Sequence, residues 1–408
     1  MVQNNQQAGS VIANIDHIKQ ANSATIYKVI EKYAPISRVK IAKVSKLAPA
    51  SVTKITRQLL ESGIISETAR QASTGGRCAI SLAPNSASIY VLAVKIGQKL
   101  LSLSRYNLAG EQLSNKQVNI QGEDGEQLIE LLISEIDHYI NNELHNADKI
   151  SAISITLSGL INPKQGRVVY TPHYSFKDYP LVEVIEQRFN LPTFIGNHTR
   201  SLALAEHYFG ATKNCADSIL VTIHHGVGSG IIIQGKALLG QNFNIGEIGH
   251  IQANPAGKQC HCGNFGCLET EVSDRVILEK VESAIRQGCF TQLEPQDISI
   301  DSIYQAAAAN DPLCQKIIED AAVYLGKTVA ILINLLNPQK IIIAGKITQA
   351  ENSLFSTINQ CITHQALPDF QKELKIEAAQ LNPNSTVAAF ALIKQALYEG
   401  DLLQKIKI

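Results

Sequence analysis

Apolar positions follow two different rhythms along the chain. Up to about Leu82 they recur at helical spacing in short segments; from Ile89 they gather into strands that alternate with longer helices. In the first part, Ile26, Val29 and Ile30 predict a helix over Asn22–Tyr33, broken by Pro35. Ser37 is placed to cap a second helix that buries Val39, Ile41, Ala42 and Val44. Leu47-Ala48-Pro49 reads as a turn, and Pro49 suits the first position of a third helix running to about Glu61. That helix buries Val52, Ile55 and Leu59, at i, i+3 and i+7. Its other face carries Ser51, Lys54, Arg57 and Gln58, with Thr53 at the boundary. Ile64-Ile65-Ser66 and Ala79-Ile80-Ser81-Leu82 predict two short strands around the turn Ser73-Thr74-Gly75-Gly76-Arg77. Short helices, a tight turn, a polar-faced third helix and a wing read as a winged helix-turn-helix.

In the second part, strands are predicted over Tyr90–Ile96, Leu100–Tyr106, Ile150–Leu157, Pro192–Ile195, Ser218–His224, Gly230–Ile233 and Lys340–Ala344. Helices are predicted over Leu128–Ile140, Leu181–Phe189, Arg200–Phe209 and Ala321–Leu336. The alternation is that of an α/β architecture, and its recurrence suggests two similar lobes. The chain divides into a tail (1–14), the winged helix (15–84), a first lobe (85–200, completed by a C-terminal helix in 385–408) and a second lobe (201–384).

Charge sharpens this division. The net charge of the 408 residues is zero. Residues 15–82 nevertheless hold 11 Lys and Arg against 4 Asp and Glu, a surplus of 7 that the body balances. A basic module on an acidic body suits nucleic acid. Ser51, Thr53, Lys54 and Arg57 are the candidates for base or phosphate contact, and Arg77 for a narrow minor groove. Met1–Ala13 is polar and uncharged, which argues against a signal peptide, and no apolar run is long enough to span a bilayer. Cysteines outside the cluster described next are scattered and odd in number, as expected in a reducing cytoplasm.

Chemistry concentrates between Glu247 and Glu269. His250, Cys260, Cys262 and Cys267 supply one imidazole and three thiols, a donor set for tetrahedral Zn²⁺. Four strong ligands leave no position for an activated water, so the metal is expected to be structural. The plainer reading, reduced thiols and a core histidine, leaves donor type and spacing unexplained. Such a metal would hold Glu247, His250 and Glu269 in fixed relation, and carboxylates beside an imidazole suit sugar hydroxyls.

Glu247-x-Gly-His250 followed by Cys260-x-Cys262-Gly263-x-x-Gly266-Cys267-x-Glu269 resembles the signature of the ROK family (repressors, open reading frames and sugar kinases). Ala48–Arg57, Ala72–Arg77 and Ser201–Gly210 resemble its amino-sugar-responsive repressors. The resemblance implies a two-lobed, actin-like sugar-kinase fold behind the winged helix, with ligand in the cleft. It implies that Gly159, Asn197, Glu247, His250 and Glu269 hold a pyranose. The family's kinases carry an Asp-x-Gly-Gly-Thr loop where this chain has Lys95-Ile-Gly97-Gln98-Lys99, and an Asn-Asp pair where it has Asn197-His198. Losing both acids argues against phosphoryl transfer. His198 stands where a kinase base meets the sugar's 6-hydroxyl. Protonated, it would bond a 6-phosphate; alternatively, it has drifted at a site released from catalysis. The expected function is repression of amino-sugar uptake and catabolism genes, relieved by a phosphorylated amino sugar such as N-acetylglucosamine 6-phosphate, in a homodimer or homotetramer on operator DNA. One alternative is a glucose-responsive repressor sequestered by a membrane sugar transporter, with the apolar tail Leu402–Ile408 as a contact; another is a sugar kinase.

Overall fold

The computed structural model describes residues 15–68, 80–86, 89–122, 124–142 and 150–406. The winged helix contains α1 (Ile15–Tyr33), β1 (Ile36–Ser37), α2 (Arg38–Ser45), α3 (Pro49–Glu61), β2 (Ile65–Thr68) and β3 (Ser81–Pro84). Its three strands lie in the order β1-β3-β2, and β2 pairs with β3 antiparallel. The Ser37 side chain accepts from Lys40 N, capping α2, and Pro49 occupies the first turn of α3. Val52, Ile55 and Leu59 are buried as predicted, together with Thr56. Arg38 Nε donates to Thr56 Oγ1 at 3.1 Å and ties α2 to α3.

Two expectations fail here. The first helix begins at Ile15 rather than Asn22. In α2 only Ile41 is fully buried; Val39 is 79% exposed and Val44 47%. Val39 sits two residues from Ile41, about 200° around the helix, so both cannot face one core. Val44 lies in the last turn of the helix.

The body begins with β4 (Tyr90–Ile96), β5 (Leu100–Asn107), β6 (Gln112–Asn119), α4 (Gly125–Asn142) and β7 (Ile150–Leu157). A three-stranded flap follows, β8 (Leu160–Asn162), β9 (Arg167–Tyr170) and β10 (Lys177–Tyr179), then α5 (Leu181–Phe189), β11 (Thr193–Asn197) and α6 (His198–Phe209). The second half runs through β12 (Ser218–Ile223), β13 (Val227–Ile233), β14 (Lys236–Ala237), α7 (Glu269–Val272), α8 (Asp274–Arg286), α9 (Ile300–Ala308) and α10 (Pro312–Leu336). It ends with β15 (Lys340–Ala344), α11 (Glu351–Gln365), α12 (Pro368–Gln371), β16 (Lys375–Ala378), α13 (Val387–Glu399) and α14 (Asp401–Lys405).

The two five-stranded sheets are copies of one plan. The first runs β6-β5-β4-β7-β11 and the second β14-β13-β12-β15-β16. Taking strands in the order they enter each sheet, both read 3-2-1-4-5. In both, the first pairs are antiparallel and the last two parallel. The duplication is invisible as sequence identity yet explicit as topology. The carboxyl ends of the parallel strands in such sheets are where ligand crevices form. They place Lys95, Thr156 and Gly196 side by side on β4, β7 and β11 in the first lobe.

Helix α13 returns from the second sheet and packs on β4, β7 and β11, against α6 and α1. One hydrophobic core therefore runs from Ile26, Tyr27 and Leu59 of the winged helix through Phe390, Ile393 and Leu397 of α13 to Val91 and Ala152 of the first lobe. The tail joins the same core: Leu402 is fully buried, and Leu403 and Ile406 pack against it. The winged helix is docked, not tethered. At the dock Lys394 Nζ donates to Glu31 Oε1, and Tyr398 Oη donates to Glu31 Oε2. The Lys394 side chain is only 9% exposed and that of Glu31 23%. Gln20 adds bonds to Glu399 O at 3.0 Å and Asp401 Oδ1 at 2.7 Å.

Replacing Lys394 with Met strands Glu31 in a low-dielectric setting. We expect the variant to lose roughly 2–3 kcal/mol of stability, less than for a fully buried pair because Glu31 keeps some access to water. Urea denaturation monitored by far-UV circular dichroism reads this directly; an unchanged midpoint would show that the pair does not hold the dock.

Candidate metal centre and interlobe cleft

The segment between β14 and α7 is a knuckle of short turns. Glu247 precedes the 3-10 turn Ile248–His250, and two isolated bridges, Gln252 with Cys267 and Gln259 with Phe265, close the loop on itself. Gly266 makes the closure possible: its φ is +67°, and a Cβ there would lie 1.6 Å from Asn254 O. The folding brings four donors together. Cys260 Sγ lies 3.7 Å from His250 Nδ1, Cys262 Sγ lies 3.7 Å from Cys267 Sγ, and all four ligand atoms lie within 4.8 Å of one another. A tetrahedral zinc with ordinary Zn–S and Zn–N bonds has ligand–ligand edges of about 3.6–3.8 Å, so the donors fit that ion in type and in spacing. Burial pushes the Cys267 thiol up to about 12 and raises Cys260, whereas a backbone N–H at Asn264 lowers Cys262. A divalent cation is what would make three such thiols stable as thiolates. Cys260, His261 and Glu269 form a second close group, but it shares Cys260 and offers fewer soft donors.

Around the knuckle, the sugar-binding candidates form two linked chains. In the first lobe, Asn197 Nδ2 donates to Gly159 O at 2.9 Å, while Asn197 Oδ1 caps α6 by accepting from Arg200 N at 3.1 Å. Gly159 has φ +120°, and a Cβ there would meet Tyr170 O at 2.2 Å, so this carbonyl can be presented only by glycine. Arg200 is buried and donates to Ile245 O at 2.7 Å, Glu247 Oε1 at 3.2 Å and Asn244 Oδ1 at 3.1 Å. It thereby fixes Glu247 across the cleft. On the other side, Glu269 Oε2 accepts from Val227 N at 3.1 Å at the start of β13, and Glu269 Oε1 pairs with His261 Nδ1 at 3.1 Å. The His261 ring packs edge-on to His250 at 5.3 Å. His250 N in turn donates to Glu247 O at 3.1 Å. The spacing of single residues gave no hint of Arg200 or His261; a charged residue one turn into a helix after Asn197 was the only available signal for the former.

His198 stands apart. Its Nε2 donates to Pro383 O at 2.8 Å, and its Nδ1 is 3.5 Å from the Thr156 hydroxyl. Both ring nitrogens have protein partners, and a donor at Nε2 with an acceptor at Nδ1 describes a neutral ring. Burial first, then the Lys95 ammonium, holds the imidazole well below its ordinary pKa. In this arrangement the ring bonds the backbone at Pro383. Lys95 Nζ reaches the same carbonyl at 2.8 Å and Asn384 Oδ1 at 3.3 Å.

On α3, Thr53, Lys54 and Arg57 are exposed and Ser51 is half-buried. Thr53 Oγ1 donates to Pro49 O at 2.9 Å. Lys54 and Arg57 have no ion-pair partner among the described residues, so both are available to a polyanion. Arg77 lies outside the described residues. A cavity of about 960 Å³ opens beside Asn197 and Arg200, lined by Leu204, Phe243, Leu392 and Ala396. Glu247, His250 and Glu269 do not line it, so it is not the place where the carbohydrate candidates converge. Among the described residues no helix is long and apolar enough to cross a membrane.

With this geometry in view, comparison with known proteins is informative. The ROK family pattern matches residues 91–396. The N-acetylglucosamine repressor of Escherichia coli O6:H1 is 44% identical over 395 residues, covering 97% of each chain. The DNA-binding transcriptional repressor Mlc of Escherichia coli K12 is 35% identical over 395 residues, covering 96% of this chain and 97% of its own. Among solved structures, a ROK family transcriptional regulator described as a homologue of Escherichia coli Mlc superposes with a TM-score of 0.91 at 42% identity, over 96% of this chain and 99% of its own. A ROK glucokinase from Streptomyces griseus, solved with glucose and AMPPNP, shares the fold of the body at a TM-score of 0.64 and 23% identity, over 75% of this chain and 99% of its own.

The buried guanidinium supplies a test of the site geometry. Arg200→Lys keeps the charge but cannot span Ile245 O, Asn244 and Glu247 together. We expect a loss of about 0.5–1.5 kcal/mol in thermal or chemical stability, since the acceptors are only partly buried and water can replace part of what is lost. Wild-type stability would mean that Arg200 does not organise residues 244–247.

Proposed function

The chain belongs to the ROK family, and from that premise we propose that it is a DNA-binding repressor of amino-sugar uptake and catabolism genes, released from its operator by a phosphorylated amino sugar, N-acetylglucosamine 6-phosphate foremost. The observation that carries this reading is the 44% identity to an N-acetylglucosamine repressor over 97% of both chains, winged helix included. Mlc is less similar at 35%, and the apolar tail that a membrane transporter would need is packed into this chain's own core at Leu402. The protein would act in the cytoplasm as a homodimer or homotetramer, so that paired winged helices meet paired half-sites.

Glu247 and Glu269 would accept hydrogen bonds from the sugar's ring hydroxyls. Gly159 and Asn197 would bound the pyranose from the first lobe. His250, Cys260, Cys262 and Cys267 would hold one Zn²⁺, which supplies no reaction but fixes the knuckle and the tautomer of His250. With Nδ1 turned toward Cys260, the free Nε2 of His250 is the nitrogen left to donate to the sugar. Phosphoryl transfer lacks its parts: Lys95 and His198 stand where the family's kinases carry acids, and both side chains are bonded to Pro383. Purified protein should give no detectable transfer from ATP to N-acetylglucosamine or glucose; turnover that follows the protein peak on a column would contradict this.

Fluorescence anisotropy with operator fragments tests the reading as a whole. N-acetylglucosamine 6-phosphate should release DNA, and glucose should not. Lys54→Ala should weaken all sequences alike, whereas Arg57→Ala should lose discrimination at one base pair by about 1–3 kcal/mol. DNA binding indifferent to the sugar phosphate would refute the proposal.

The metal is tested separately. Elemental analysis should find one zinc per chain in freshly purified, chelator-free protein. Cys262→Ser should lose both the zinc and much of the knuckle's stability, on the order of several kcal/mol out of roughly 10 for a closed structural site. Zinc-free wild type with normal stability would remove the metal from the account.

A further inference from the structure

The two side chains that replace the kinase acids converge on one atom. Lys95 Nζ and His198 Nε2 each lie 2.8 Å from the carbonyl oxygen of Pro383. Both contacts are long-range, 288 and 185 residues apart in sequence, and neither donor is a neighbour of the other on one element. A cationic donor is here spent on a neutral oxygen, although charge-assisted bonds to an anion are about twice as strong. No carboxylate pairs with Lys95 among the described residues, and burial alone lowers its ammonium to about 8. It is thus still charged at neutral pH, partly desolvated and without a counter-ion. His224 faces the same region, and its Nε2 has no hydrogen-bond partner among the described residues. All of this sits at the carboxyl ends of β4 and β11, where the lobes meet.

Resting on the effector proposed above, we propose that Lys95 and His198 form the binding site for the effector's 6-phosphate, and that the Pro383 carbonyl fills this site until a phosphate oxygen displaces it. The displaced piece is a compact turn. Ser385 N and Oγ both donate to Asn382 O, at 3.1 and 2.8 Å, and Asn384 N donates to Asn382 Oδ1 at 2.8 Å. Anchors flank it: Leu381 N donates to Glu206 Oε1 at 2.7 Å, and Thr386 Oγ1 bonds Tyr106 Oη at 3.0 Å. The turn leads directly into α13, whose far end holds α1 through Lys394, Tyr398 and Glu31. Phosphate at Lys95 therefore loosens the start of the helix that seats the DNA-binding domain. Unphosphorylated sugar, lacking the competing anion, leaves the turn in place.

Calorimetry on the full chain at neutral pH, with N-acetylglucosamine 6-phosphate and N-acetylglucosamine as probes, tests this. Wild type should prefer the phosphorylated sugar by at least about tenfold, the scale of one charge-assisted bond. Lys95→Met should lose that preference while keeping its affinity for N-acetylglucosamine, and Lys95→Arg should retain most of it. Asn384→Ala, which loosens the internal occupant, should tighten the 6-phosphate about threefold and leave the unphosphorylated sugar unchanged. Hydrogen exchange at residues 384–390 should rise on adding the 6-phosphate to wild type and not to Lys95→Met. A Lys95→Met protein that keeps the wild-type preference, or loses both ligands equally, overturns the inference and leaves the repressor reading standing. No preference in the wild type would overturn the phosphorylated effector itself, and this site with it.

Discussion

Helix α13 is apolar on nearly every face because it is packed on nearly every side. Ala388 to Lys394, Ala396 and Leu397 are all buried. Phe390 stacks on Tyr106 of the first sheet at 4.8 Å and on Phe209 of α6 at 5.5 Å. Lys394 and Tyr398 reach across to Glu31 of the winged helix. A helix so enclosed cannot shift at one end without a response at the other, since close-packed interiors transmit displacement rather than absorb it. The first lobe, α6 and the DNA-binding domain thus share contacts with one closely packed element.

The strand edge beside the start of α13 suits such a coupling by geometry. The parallel strands β4, β7 and β11 end together and present residues 95, 156 and 196–198 at one edge. In a kinase that edge needs acids to orient metal and accept a proton. Here it carries Lys95 and His198, donors rather than acceptors, and they grip the turn that begins α13. The knuckle from Glu247 to Glu269 brings four donors together in a spacing that suits a metal, and Glu269 accepts from Val227 N at the start of β13.

Legibility from sequence followed the range of the interaction. Leu181–Phe189 and Lys340–Ala344 were placed to the residue because each is a compact apolar segment with clear ends. The cysteine cluster was readable because its donors lie within 18 positions, from His250 to Cys267. The edge strand Gln112–Asn119 was missed: it is largely exposed and polar, so no apolar alternation marks it. Val39 was assigned to a core that lies on the opposite side of its helix, which Ile41 faces. Arg200 and the turn at Pro383 act through partners tens to hundreds of residues away. Such contacts exist only once the lobes are built, and local pattern carries no trace of them.

In the proposed mechanism one helix makes effector and operator binding oppose each other. Thermodynamic linkage then requires the coupling to be the same from both directions. The direct measurement is the affinity of N-acetylglucosamine 6-phosphate for the free protein and for the protein saturated with operator DNA, by calorimetry under one set of salt conditions. The account predicts weaker effector binding on DNA, by the same factor by which the effector weakens operator binding, within the roughly 5- to 150-fold usual for such coupling. Equal effector affinity with and without operator would contradict it.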